Sequence, residues 1–232
     1  MSVKRIGVLV PMQPELRPLA KRVSLEQRTI GDRVVHTGKV GDIELVATIT
    51  TMGTTPAKAA AEFIVDQDVE HLVLIGIAGG LGADVKIGDL VVPEVVVDFD
   101  TGRETHPRPL GGETPKGKLM TSGVLIVDQD VLRGLADNGA TAIDMETSAI
   151  GAVAESAGLP WSAYRGISDH IRDGLIDNGV LGLANADGSA NAGAIAKYVA
   201  ARPWRVRTLA KLGRDMSLAA NAAADALVRG LR

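Results

Sequence analysis

Charged residues stand where apolar runs give out. Strand-length stretches lead to Glu15, to Asp144-Met145-Glu146, and to Arg165, Ser168 and Asp169. A fourth run, "HLVLIGIAGG", ends in the small residues Ala78, Gly79 and Gly80. In open α/β sheets, ligands bind beyond the carboxyl ends of the strands. If these ends meet, Glu15, Glu146 and Asp169 share a pocket with Arg165. Three carboxylates and an arginine suit cleavage of a glycosidic bond, whose transition state places positive charge on the sugar. One acid must protonate the leaving group and another group must activate the nucleophile. Unequal surroundings keep one carboxyl protonated near neutral pH while another stays ionised.

The elements that must position these groups alternate between strand and helix patterns. Residues 5–12, "RIGVLVPM", predict a buried strand, and "PELRPLAKRV" a short helix with Pro14 in its first turn. Residues 33–51 predict a hairpin turning at Gly41-Asp42. "TPAKAAAEFIVDQD" predicts a helix capped by Thr54 or Thr55, with Pro56 just inside. Residues 71–82 predict a buried strand, residues 87–100 a long strand or strand pair, and the Gly/Pro-rich residues 101–118 a loop. "LMTSGVLIV" predicts a strand, "DQDVLRGLADNG" a helix, "ATAIDMETSAIGAVAESAGL" a strand running into a helix, and "WSAYRGISD" a strand. Residues 174–193 lack a clear period and predict a loop with short helical pieces. Residues 203–231 predict an Ala-rich amphipathic helix, with Leu209, Leu212, Met216, Ala219, Ala223, Leu227 and Leu231 at helical spacing. Arg202, Arg205, Arg207, Lys211 and Arg214 read as its solvated face.

No linker or repeat divides residues 1–232, so one α/β domain is expected, a mixed sheet with helices on both faces. The net charge of −3 advertises no nucleic-acid partner. The absence of cysteine excludes disulfides, thiol catalysis and a cysteine-bearing zinc site. The four histidines are scattered, and no metal is expected. No apolar run approaches the roughly 20 residues that cross a bilayer. The chain therefore reads as soluble and cytoplasmic, without a membrane partner.

Each singled-out residue also has a purely structural explanation. Asp169 can cap a helix, and Glu146 and Glu15 can sit in first helical turns where the dipole favours acids. Arg165 can serve a buried ion pair, Met145 can fill core space, and Gly79-Gly80 can permit a tight turn.

Four motifs in order, "GIAGGL", "IGDLVV", "DMETSAI" and "RGISD", resemble the nucleoside phosphorylase/nucleosidase superfamily. The nearest branch is that of the methylthioadenosine/S-adenosylhomocysteine nucleosidases. The resemblance covers about residues 5–172 and the C-terminal helix. It implies a purine nucleoside phosphorylase-like fold: a single-domain mixed sheet, partly barrel-like, flanked by helices. Asp169 then matches the general acid at purine N7, and Ser168 a residue that positions it. Glu146 matches the ribose anchor and Met145 its neighbour against the sugar. Arg165 matches an arginine near the attacking water, and Glu15 the carboxylate that activates it. Ala78 and Gly79 match the turn that approaches the ligand. No metal or organic cofactor is implied. The expected partners are a purine nucleoside and a second copy of the chain, in a homodimer or higher oligomer.

The nucleophile separates hydrolysis from phosphorolysis. Related phosphorylases carry an arginine and a serine where this chain has Leu74 and Ile77. Glu15 would repel phosphate, so water is favoured. Against this, "SDHIR" is spelled as in some bacterial phosphorylases, and Arg17, Arg172 or a second subunit's arginine can bind phosphate. Nucleosidases usually read "SGD" followed by an aromatic that stacks on the purine. Here Ser122-Gly123-Val124-Leu125-Ile126 lacks the aspartate and puts Ile126 or Leu125 about where the aromatic belongs. Hydrolysis of a purine nucleoside is the first expectation. A phosphate-dependent phosphorylase and a non-catalytic nucleoside binder are the alternatives.

Overall fold

The computed structural model describes residues 3–170, 173, 178–185 and 187–232. Strand β1 (Arg5–Val10) pairs in parallel with β4 (Ile43–Ile49) on one side and with the first half of β5 (His71–Gly80) on the other. The other edge of β5 bonds the parallel strand β11 (Trp161–His170) from end to end. Antiparallel β3 (Arg33–Val40) and β2 (Glu26–Ile30) extend the sheet beyond β4. Where β5 ends, Gly79-Gly80 bonds antiparallel β10 (Ala140–Asp144), which leads to β9 (Lys118–Thr121), β7 (Val95–Asp98) and β8 (Glu104–Thr105). The short β6 (Leu90–Val91) adds to β11.

Because β5 shares its two edges among three partners, the sheet branches there and does not close. The mixed sheet flanked by helices that the resemblance implies is present, and among the described strands it does not close into a full barrel.

Side-chain alternation gives the sheet two cores. Ile6, Val8 and Val10 of β1 pack with Leu16 and Leu19 of α1 (Gln13–Arg22) and with Ala223, Ala224 and Leu227 of α7 (Val206–Gly230). Leu9, Leu72 and Leu74 face the opposite side. There they meet Ala57, Ala60 and Ile64 of α2 (Thr54–Val65) and Ile150 and Ala154 of α4 (Thr147–Ser156). Full burial of each large aliphatic side chain stabilises the fold by about 1.5–3 kcal/mol. The expected two-faced α/β arrangement is therefore present.

The local differences have physical causes. β2, "EQRTI", has no buried residue and so leaves no apolar alternation in the sequence. "LMTSGVLIV" stops being a strand at Thr121, where Ser122 N donates to Asp144 O and the chain turns toward α3 (Gln129–Asp137). The expected loop at 101–118 carries β8. Of residues 174–193, those numbered 174–177 and 186 lie outside the described residues, as does Arg172. The remainder holds the short α5 (Asn178–Leu181) and opens α6 (Ala192–Ala201). Pro203 begins a 3₁₀ turn to Arg205 before α7 starts. No helix among the described residues is long and apolar enough to cross a membrane.

Candidate active site

The carboxyl ends of β1, β5 and β11 lie side by side because the three strands run parallel. The chain leaves β1 through Pro11 and Met12 into α1, which carries Glu15 in its first turn. Its carboxylate makes no helix cap. It reaches across to β5, where Ile77 N–H donates to Oε2 at 2.8 Å. Glu15 is 2% exposed. Burial pushes its pKa up to about 8, against the opposing pull of Arg165, while the charges of Glu146 and Asp144 push the same way as burial.

Arg165 occupies a β11 position between Ala163 and Ile167, both of them core residues on the same side of the strand. A buried guanidinium needs partners. Nε lies 3.0 Å from Asp144 Oδ2, and Nη2 donates to Glu146 Oε2 at 3.0 Å. Asp144 is held in turn by the hydroxyls of Thr121 and Thr147. Glu146 stands at the N-cap position of α4 but does not cap it. Its second oxygen accepts from Gly53 N–H at 3.1 Å. Burial raises the pKa of Glu146, with Arg165 opposing.

Asp169 lies inside β11, not at a helix start. Pairing slips there: Ile167 faces Ala78 and Asp169 faces Gly79, leaving Ser168 as the extra residue of a bulge. A bulge re-aims side chains that would otherwise alternate. Both Ser168 and Asp169 consequently line one cavity, and Ser168 Oγ–H donates to Asp169 Oδ1 at 2.6 Å. Burial raises the carboxyl's pKa, and this hydrogen bond opposes the rise.

That cavity, of about 800 Å³, is lined by all nine residues singled out from the sequence: Glu15, Ala78, Gly79, Ile126, Met145, Glu146, Arg165, Ser168 and Asp169. Its other wall is aliphatic and comes from Leu183, Ile195, Leu209, Leu212 and Met216. Ile77 also lines it, whereas Leu74 is sealed in the core. Arg17 stands exposed on the cavity wall.

Three contributors escaped the sequence. Asp144 was visible as a strand end but had no assigned task; it anchors Arg165. Gly53, not Thr54 or Thr55, starts α2, with φ at 104°, a conformation that favours glycine. Its N–H is turned to the Glu146 carboxylate, and α2 has no side-chain cap. Gly76 is the third. A Cβ there would collide with Glu15 Oε2 and Arg165 Nη1, so both groups meet directly over its backbone. The glycine ahead of Ile77-Ala78-Gly79 was the available signal. Glu15 Oε1, the oxygen not bonded to Ile77, and Arg165 Nη1 are buried with no hydrogen-bond partner among the described residues.

An open mixed sheet with a carboxylate–arginine cluster beyond its parallel strand ends defines the class: an α/β enzyme scaffold with an acid–base pocket. Within that class, the chain belongs to the phosphorylase superfamily, whose family model matches residues 5–115 and 109–201. It is similar to the aminodeoxyfutalosine nucleosidase of Helicobacter pylori, 24% identical over 199 residues that cover 72% of this chain and 86% of that protein. It is also similar to the 5′-methylthioadenosine/S-adenosylhomocysteine nucleosidase of Buchnera aphidicola, at 23% identity over 71% of this chain and 83% of that one. The fold matches the crystal structure of the 5′-methylthioadenosine/S-adenosylhomocysteine nucleosidase from Neisseria meningitidis in complex with methylthio-immucillin-A. That match has a TM-score of 0.75, 16% identity and 98% coverage of both chains.

Proposed function

We propose that this chain is a nucleosidase that hydrolyses the N-glycosidic bond of a purine nucleoside, releasing the free base and a ribose derivative. One observation carries the reading. Glu15 and Arg165 both stand over Gly76 in the cavity that Glu146 and Asp169 also line, and each keeps a buried polar atom, Glu15 Oε1 and Arg165 Nη1, without a protein partner among the described residues. A water accepted by that pair is held by a guanidinium and gives its proton to a carboxylate. On the other side of the sugar, Asp169 donates a proton to purine N7, and burial raises its pKa in the direction that favours the protonated form. Glu146, already aligned by Arg165 and Gly53, accepts from the ribose hydroxyls, with Met145 against the ring. As the C–N bond breaks, electrons pass to the base and positive charge grows on the sugar among three carboxylates.

The names of the 5′-methylthioadenosine/S-adenosylhomocysteine nucleosidases among the relatives favour an adenosine with a modified 5′ position. The aliphatic wall of Leu183, Ile195, Leu209 and Met216 favours an apolar 5′ substituent. Ile77 and Leu74 offer phosphate neither a hydroxyl nor a charge, which favours water as nucleophile. The working protein is a single-domain cytoplasmic enzyme in a homodimer. Exposed Val124 and Val127 beside the cavity wall give a second copy an apolar surface to cover.

The test is a panel of 5′-modified and plain nucleosides incubated with and without phosphate. Base released without phosphate supports hydrolysis. Release only with phosphate overturns it in favour of phosphorolysis. Thermal stabilisation by nucleoside with no base released at all overturns it in favour of a binding protein.

A further inference from the structure

Residues 190–214 hold six cations, Lys197, Arg202, Arg205, Arg207, Lys211 and Arg214, and no acid. The whole chain has 28 acids against 25 bases, so outside this segment acids exceed bases by nine. The whole-chain charge of −3 hides this concentration, and the absence of a membrane-spanning apolar run, from which no membrane partner was expected, does not bear on it.

The segment is helical, running from α6 through the 3₁₀ turn at Pro203–Arg205 into the start of α7. α6 reads "AGAIAKYVAA" and has no buried residue, although Lys197 is its one charged member. Trp204 is 72% exposed and Val206 45%, whereas the chain's other tryptophan, Trp161, is 3% exposed. On α7, Arg207, Lys211 and Arg214 share a face at helical spacing. The acids that meet these cations are few. Asp215 pairs with Lys211 at 2.6 Å and lies 3.9 Å from Arg214, and Asp173 borders a shallow depression with Arg207 and Lys211. Arg202 lies over the Tyr198 ring at 5.0 Å. Lys197, Arg205 and Arg207 make no ion pair among the described residues. Ile195, Leu209 and Leu212 point the other way, into the cavity.

A tryptophan and aliphatic residues left in water, ringed by arginines, match the headgroup layer of a bilayer. There the indole sits at the polar–apolar boundary and cations meet lipid phosphates. We propose that this helical segment docks the protein on an anionic bilayer surface, with Trp204 entering the headgroup layer. A nucleic-acid duplex offers phosphates too, but it gives the uncharged face of α6 nothing apolar to cover. A bilayer uses both features.

The two tryptophans make the test spectroscopic, because buried Trp161 supplies a constant background. Vesicles of phosphatidylcholine with phosphatidylglycerol should blue-shift the emission and pull the protein down on sedimentation, and added salt should reverse both. Pure phosphatidylcholine vesicles should do neither. Arg205→Gln with Arg207→Gln should weaken vesicle binding about 25-fold, at about fivefold for each cation removed. Trp204→Phe should abolish the shift. Both variants should keep nucleoside hydrolysis in vesicle-free buffer, since none of the three side chains lines the cavity. Absence of sedimentation with anionic vesicles overturns the proposal. So does undiminished binding by the double arginine variant, or a shift produced by duplex DNA and not by vesicles.

Discussion

Glu15→Gln is the perturbation that most directly weighs the buried cluster. In the folded chain the Glu15 carboxyl titrates at about 8, because burial outweighs Arg165, against an ordinary 4.5. Between those two values the unfolded chain has released a proton that the folded chain still holds. Stability therefore falls with rising pH across that window, and the Glu15 contribution is level below 4.5 and above 8. The slope is about 1.4 kcal/mol per pH unit for one group. From pH 6 to pH 9 about two units of the window are crossed, so Glu15 removes about 3 kcal/mol of stability.

Glutamine cannot ionise, yet its amide oxygen can still accept from Ile77 N–H. Asp169 and Glu146, also raised by burial, and Asp98 and Asp225, lowered by their hydrogen bonds, are present in both proteins and largely cancel in the difference. Urea unfolding of both proteins at intervals from pH 6 to 9, at constant ionic strength, measures the result. The variant should gain about 3 kcal/mol relative to the parent across that range while losing turnover. A gap that stays constant with pH refutes the reasoning, even if activity is lost. The parent's hydrolysis should climb toward pH 8 as the same proton leaves, so base catalysis and stability draw on one titration in opposite directions.

Asp169→Asn should lower turnover by about 10²- to 10⁴-fold and leave urea stability within about 1 kcal/mol, since Asn still accepts from Ser168. Gly76→Ala should displace Glu15 and Arg165 together. Its kcat should fall about 100-fold, as expected for a shift of about 1 Å, with KM moving far less, a split that steady-state kinetics reads directly. Arg165→Leu strands Asp144 and Glu146 as unpaired buried acids; unfolding should show a loss of about 3–5 kcal/mol, far more than Asp169→Asn. Ile126→Phe places an aromatic on the cavity wall and should lower KM about 2- to 12-fold if the base stacks there, from about 0.5–1.5 kcal/mol of added stacking.

Side chains were the legible part of this molecule, and backbone donors the illegible part. The buried strands β1, β5 and β11 announced themselves because their core positions are apolar, and the site residues because they interrupt that pattern. Nothing in residue types shows which N–H groups remain free to bond. Ile77 N and Gly53 N hold Glu15 and Glu146, yet Ile77 was weighed only for its side chain and Gly53 not at all. The bulge at Ser168 is likewise a matter of pairing, invisible in "RGISD" itself. Edge elements failed for a complementary reason: β2 and α6 bury nothing, so no tertiary demand is written into their sequences. The same distinction bears on the chemistry. "DMET" and "RGISD" could suggest an acid and an anchor, but Glu15 holds its proton to about 8 because it is buried, beside a guanidinium already committed to Asp144 and Glu146, whose charges push the same way as burial. That is a property of distances set by Gly76, and a single methyl there would change it without altering any ionisable residue.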